Sequence, residues 1–279
     1  MTDTHFKGWA KPGPVPPGAA AGEMPGAGET LDALSGHFRL FQLRDGHRFS
    51  TDDLLTAWYG TTWCPSARTG LDLGSGIGTV GMIVAWRLPG IRMTTVEAQA
   101  VSTALARRSA RYNGVEDRYQ ILEGDFRDPG ILPADATYDL ITGSPPYFPP
   151  GTGVESGHPQ KLACRFELRG AVADYCAAAA RHLAPGGCFA CVFPFEPAQR
   201  ARVEAAAAAS GLVIVRRRPV VFREGDPPLI GLFALMRSGD LPEWMRRRTW
   251  TEPDLVIRDR TGAIHPEYSA VKLAIGFPP

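Results

Sequence analysis

Between residues 69 and 78 a short apolar run, TGLDL, passes directly into Gly74-Ser75-Gly76-Ile77-Gly78 and then into TVGMIVAWRL. A strand that ends in glycines and restarts as a helix constrains the fold more than any other feature of this chain. Glycine is needed where a turn takes positive φ and where backbone must come close to a ligand. The pattern then repeats. IRMTTVEA reads as the next strand and 99–112 as a helix; YQILEGD is a third strand and YDLITGSPPY a fourth. A helix over roughly 169–183 ends at Pro185-Gly186-Gly187, CFACVFPF is a fifth strand, and 197–210 is an Ala-rich helix. GLVIVRRRPVVF and PLIGLFALMR complete seven strands. Strands alternating with helices predict an α/β domain with a mostly parallel, doubly wound sheet and right-handed crossovers. The short loop between the last two strands predicts an antiparallel hairpin at one edge.

The flanks are less regular. Residues 9–30 are rich in Pro, Gly and Ala, so 1–36 reads as a flexible tail and 37–279 as the domain. HFRLFQLRDGHRFS (37–50) alternates around Asp45-Gly46, a hairpin signal, and Thr51 reads as the N-cap of the helix that follows. A net charge of +1 gives no global sign of a nucleic-acid partner, so any RNA must be held by a local patch. The five cysteines are scattered and nothing near Met1 resembles a secretory signal. A reduced, cytoplasmic protein without disulfides is therefore expected. Cys188 and Cys191 form a CxxC inside an apolar strand and read as two buried thiols, with no metal expected. No apolar run is long enough to span a membrane, and a monomer is expected.

The glycine turn is spaced GxGxG, unlike the GxGxxG of dinucleotide binders, and lacks the Lys of a phosphate-cradling loop. Glu97 ends the next strand, 19 residues beyond Gly78, where a carboxylate can accept two ribose hydroxyls. The third strand ends in Gly124-Asp125, a position from which a carboxylate can receive an adenine amino group. Asp72, Gly74, Ser75, Gly76, Gly78, Glu97, Asp125 and Phe126 are the candidate cofactor residues. In this order they resemble the Rossmann-like, seven-stranded class I methyltransferases that use S-adenosyl-L-methionine. The resemblance covers about 69–240 and places Asp72 and the glycines near the methionine part, Glu97 near the ribose and Asp125 near the adenine. A nicotinamide or nucleotide enzyme shares the fold and the turn.

The fourth strand runs into Ser144-Pro145-Pro146-Tyr147, the candidate catalytic loop. Proline carries no N–H, so two in succession leave carbonyls free to accept. Ser144 offers a hydroxyl, and Tyr147 an aromatic face for a planar group. The set suits a conjugated –NH₂. It resembles the Asn/Asp/Ser-Pro-Pro-aromatic signature of amino-methylating enzymes, of which adenine-N6 and glutamine-N5 members mostly begin with Asn or Asp. RFSTDDLLTAW (48–58), LACRFEL (162–168) and RDRTGAIHPEYSAVK (258–272) resemble segments of bacterial tRNA adenine-N6 methyltransferases that act beside the anticodon of a valine tRNA. That resemblance implies tRNA as the partner. Ser144 and Phe166, where the family has His, depart from it.

Arg216-Arg217-Arg218, with Arg223, and Arg246-Arg247-Arg248, between Trp244 and Trp250, are candidate phosphate and base contacts; solvated basic stretches are the plainer reading. Arg107, Arg108 and Arg111 read as the outer face of a helix, His158 and His182 lack ligand spacing, and His265 reads as packing. Three functions remain open at this point: an RNA amino-methyltransferase, a protein glutamine methyltransferase, and a cofactor-binding RNA module with little catalysis. The glutamine enzymes usually carry a helical N-terminal domain, which 1–36 is too short and polar to form.

Overall fold

A computed structural model describes residues 22–149, 151, 160, 162, 164 and 166–277, together with the backbone of 5–6 and 9–10. The central sheet contains β5 (Thr69–Leu73), β6 (Arg92–Glu97), β7 (Tyr119–Glu123), β8 (Tyr138–Gly143), β9 (Leu183–Pro194), β10 (Leu212–Arg223) and β11 (Ile230–Arg237). These lie in the order β10-β11-β9-β8-β5-β6-β7. All neighbours pair in parallel except β11, which is antiparallel to both β9 and β10.

The predicted antiparallel hairpin of β10 and β11 forms at that end of the sheet. Two short strands that the sequence reading missed, β12 (Trp250–Thr251) and β13 (Leu255–Arg258), pair in parallel with β10 and make the sheet nine-stranded.

Helices α1 (Thr51–Trp63), α2 (Thr79–Arg87), α3 (Ala100–Asn113) and α6 (Pro266–Ala274) cover one face, and α4 (Val172–His182) and α5 (Pro197–Ala209) the other. The central strands β8 and β9 are apolar on both sides because helices cover both. Cys191 packs toward α4 and α5 while Cys188 packs toward α1. Both thiols are buried, on opposite faces of β9, so the CxxC cannot form one ligand set.

The N-terminal hairpin differs from expectation. Its strands are β3 (Glu29–Ala33) and β4 (Arg39–Leu43), so it begins inside the stretch assigned to a tail and turns at 34–38 rather than at Asp45-Gly46. Gly36 supplies the turn with φ of +49°. The remainder of that stretch up to residue 21 lies outside the described residues, apart from the backbone of β1 (His5–Phe6) paired with β2 (Trp9–Ala10). Ser50, not Thr51, is the N-cap of α1, with the Asp53 carboxylate accepting the Ser50 N–H. The hairpin docks on α3 through Arg108, which pairs with Glu29 and Glu23 and lies 4.2 Å over the Phe41 ring. At the far end of the chain, the Gly276 carbonyl accepts the Gly36 N–H at 2.7 Å, both glycines packed on Trp86.

The chain leaves β5 toward β6 and β7, and later returns to the other side of β5 as β8. That reversal opens a crevice at the carboxyl ends of β5 and β8, where open α/β sheets bind ligands.

Candidate active site

The crevice holds a cavity of about 610 Å³. β5 leads into it through Gly74, Gly76 and Gly78, with φ of +60°, +55° and +90°. A Cβ on Gly74 would stand 2.3 Å from the Tyr175 hydroxyl, so side chain and backbone both exclude a larger residue there. Asp72 is buried and accepts the Thr142 hydroxyl at 2.7 Å and the Gly81 N–H at 3.2 Å. Burial pushes its carboxyl up to about 7. Ser75 lines the same wall, and among the described residues its buried Oγ has no hydrogen-bond partner.

Glu97 closes β6. Its Oε2 accepts the Gly76 N–H and its Oε1 the Gln99 N–H, each at 2.8 Å. Each oxygen keeps a lone pair for a ligand hydroxyl. Burial pushes Glu97 up despite these bonds. After β7, Phe126 is buried edge-on to Tyr175, with ring centroids 4.6 Å apart. Asp125 lines the cavity, but Arg127 already grips both its oxygens and holds the carboxyl below its usual range.

The opposite wall is Ser144-Pro145-Pro146-Tyr147, directly after β8. Among the described residues the buried Ser144 Oγ has no partner. Among the described residues no donor reaches the carbonyls of Ser144, Pro145 or Pro146. The Tyr147 ring stands edge-on to Phe193, 5.8 Å away, and to Phe148, 6.4 Å away. Phe166 is buried beside Phe148 and shapes that end of the wall.

Eleven of the twelve candidate residues therefore line this cavity, and Gly78 stands one step behind it as the N-cap of α2. The cavity also takes Asp52, Asp53, Arg48, Cys164, Arg169 and Tyr175. The Thr51-Asp52 pair carried a family resemblance without a site role; Tyr175 gave no signal at all, being one aromatic on an Ala-rich helix. The arginines divide. Arg216 stacks on Trp63 at 3.6 Å, Arg217 pairs with Glu204, and Arg218 pairs with Glu267, so this triplet is spent largely inside the molecule. Arg247 and Arg248 are exposed. Arg107 and Arg111 pair on the outer face of α3, whereas Arg108 holds the hairpin. His182 faces the Ala136 carbonyl at 2.9 Å, His265 caps α6, and His158 lies outside the described residues.

The Ser75 hydroxyl, a glycine cradle and a fixed carboxylate at a strand end form a wall suited to a sulfonium nucleoside. Fold and site together define a methyltransferase that uses S-adenosylmethionine. The chain belongs to the methyltransferase small domain family, whose profile residues 54–200 match. It is similar to a tRNA1(Val) (adenine(37)-N6)-methyltransferase of Porphyromonas gingivalis, at 28% identity over 79% of this chain and 85% of that one. It is also similar to a release factor glutamine methyltransferase of Chlorobaculum tepidum, 36% identical over only 28% of this chain and 27% of that one. Among solved structures, a predicted O-methyltransferase from Agrobacterium tumefaciens shares the fold, with a TM-score of 0.58 at 19% identity over 81% of this chain and 98% of that one. Among the described residues no helix is long and apolar enough to cross a membrane.

Proposed function

We propose that the protein transfers a methyl group from S-adenosylmethionine to an exocyclic amino nitrogen, the N6 of an adenine in tRNA. The carrying observation is the acceptor wall. It presents three unengaged carbonyls and one unpartnered hydroxyl beside an aromatic ring. Such a wall is complementary to a planar group bearing two N–H donors. Accepting from those hydrogens favours the positive charge that builds on nitrogen as the methyl arrives. The bound donor supplies an electrophilic methyl carbon on a charged sulfur.

In this reading Asp72 and the Gly74–Gly78 turn hold the methionine end, and Glu97 the ribose. Phe126, buried on Tyr175, packs against the adenine. Asp125 receives the adenine amino group with whatever lone pair Arg127 leaves. Ser144, Pro145, Pro146 and Tyr147 hold the acceptor. An RNA base must leave its stack to enter the cavity.

The relatives that span most of the chain, such as the Porphyromonas gingivalis enzyme, are named for adenine N6 of a tRNA, which supports tRNA over protein. The test is transfer of labelled methyl into fractionated extract of a strain lacking the protein, with the products resolved by mass spectrometry. N6-methyladenosine in tRNA is the expected product. Label in a protein glutamine would replace this reading. Donor binding with no transfer would leave a binding module.

A further inference from the structure

Two carboxylates stand side by side at the start of α1, and the helix explains only one of them. Asp53 caps the first turn through the Ser50 N–H. Asp52 reaches instead across the cavity, where its Oδ2 accepts the Tyr147 hydroxyl at 2.5 Å, a bond between residues 95 positions apart. No ion pair to Asp52 exists among the described residues, and burial pushes its carboxyl up while the Tyr147 bond pulls it down. A carboxylate held in a partly buried wall by neutral donors alone weakens the fold, since charge is costly to desolvate without a counter-charge. Its placement makes sense through the ring it holds. Phe193 and Phe148 meet the Tyr147 ring edge-on. Those contacts seat the body of the ring, and Asp52 holds its hydroxyl end.

We propose that Asp52 is a positioning residue of the acceptor site, fixing where the hydroxyl end of Tyr147 stands and so where the ring lies beside the amine-bearing group. This inference rests on the proposed amino-methylation of tRNA. Small errors of acceptor placement cost rate strongly, because transfer needs the nitrogen in line with the methyl carbon.

The test uses the full chain, tRNA from a strain lacking the protein, and four variants: Asp52→Ala, Asp52→Asn, Tyr147→Phe and the double Asp52→Ala/Tyr147→Phe. Donor Kd is measured first by calorimetry, and shows that each variant is folded. Asp52→Ala and Tyr147→Phe are each expected to lower kcat at saturating tRNA by roughly tenfold to a hundredfold, with donor Kd unchanged within about twofold. Asp52→Asn, which keeps an acceptor oxygen, recovers most of the rate. The double variant is no slower than the slower single variant, because both remove one bond. Additive losses, an unchanged rate in Tyr147→Phe, or a loss that follows donor affinity would overturn the inference while leaving the function intact. If Asp52→Ala fails to bind donor, Tyr147→Phe and Asp52→Asn decide between these outcomes. Wild-type protein that transfers nothing to tRNA overturns the functional reading, and this inference with it.

Discussion

Asp72 and Asp53 line one cavity, held by neutral donors, and burial pushes each carboxyl up to about 7 from 3.8. Between those two values the folded, ligand-free protein binds more protons than the unfolded chain, so its stability falls as pH rises through that window. A positively charged donor reverses the balance, because it prefers both groups ionised. Donor affinity is therefore expected to tighten several-fold from pH 5 to pH 8, measured by calorimetry; a flat profile would exclude these carboxyls as the donor's counter-charges. Asp72→Asn is expected to raise the Tm of the ligand-free protein at pH 8 but not at pH 4, and to weaken donor binding. Ser144→Ala removes a buried hydroxyl that has no partner. It should leave stability within about 1 kcal/mol of wild type while lowering kcat, since that hydroxyl has only the acceptor to bond. Most of this site was legible in the sequence because its residues fall at strand ends, where topology alone brings them together. Asp52, Arg169 and Tyr175 were not, because each enters the cavity from an element whose packing against the sheet no local pattern encodes.

Helix α3 shows how an element can be recognised and its role missed. Its arginines read as an outer face, yet Arg108 is mostly buried between Glu23, Glu29 and the Phe41 ring and ties β3 and β4 to the domain. Arg108→Ala leaves the partly buried Glu29 without its ion pair and Glu23 with Arg111 alone, and is expected to cost about 1–3 kcal/mol. Chemical denaturation measures the loss, and hydrogen exchange should rise first in Glu29–Leu43. Gly74→Ala tests the cofactor turn in the same way. With φ of +60° and a wall 2.3 Å away, it should cost about 1–3 kcal/mol and abolish donor binding. The parallel core of the sheet was legible because strands β5 to β9 are rich in apolar residues and separated by helices and glycine turns. The hairpin was misplaced because Asp45-Gly46 is a strong turn signal with a different use: it bends the chain so that Gly46, His47 and Arg48 reach the cavity mouth. β12 and β13 escaped notice because strands of two and four residues at a sheet edge carry too little alternation to stand out.

Over the whole molecule the charge nearly cancels, at +1, so attraction for a polyanion must come from where the arginines are free. Arg247 and Arg248 are exposed beside Trp244 and Trp250, which are 66% and 64% exposed. If these hold tRNA phosphates, Arg247→Glu with Arg248→Glu will weaken tRNA binding and flatten its log–log salt dependence by roughly 1 to 2 in slope, with donor affinity unchanged. Filter binding at several salt concentrations distinguishes this from a solvated stretch, for which the slope stays the same. The bond between Gly36 and Gly276 closes the described domain into a ring, early hairpin against final helix. A growing polypeptide leaves the ribosome in order, so the docking surface around Trp86 stays incomplete until nearly the whole domain has emerged. A chain stalled before Gly276 lacks that bond, and its N-terminal hairpin should be cut faster by proteases than in the whole domain.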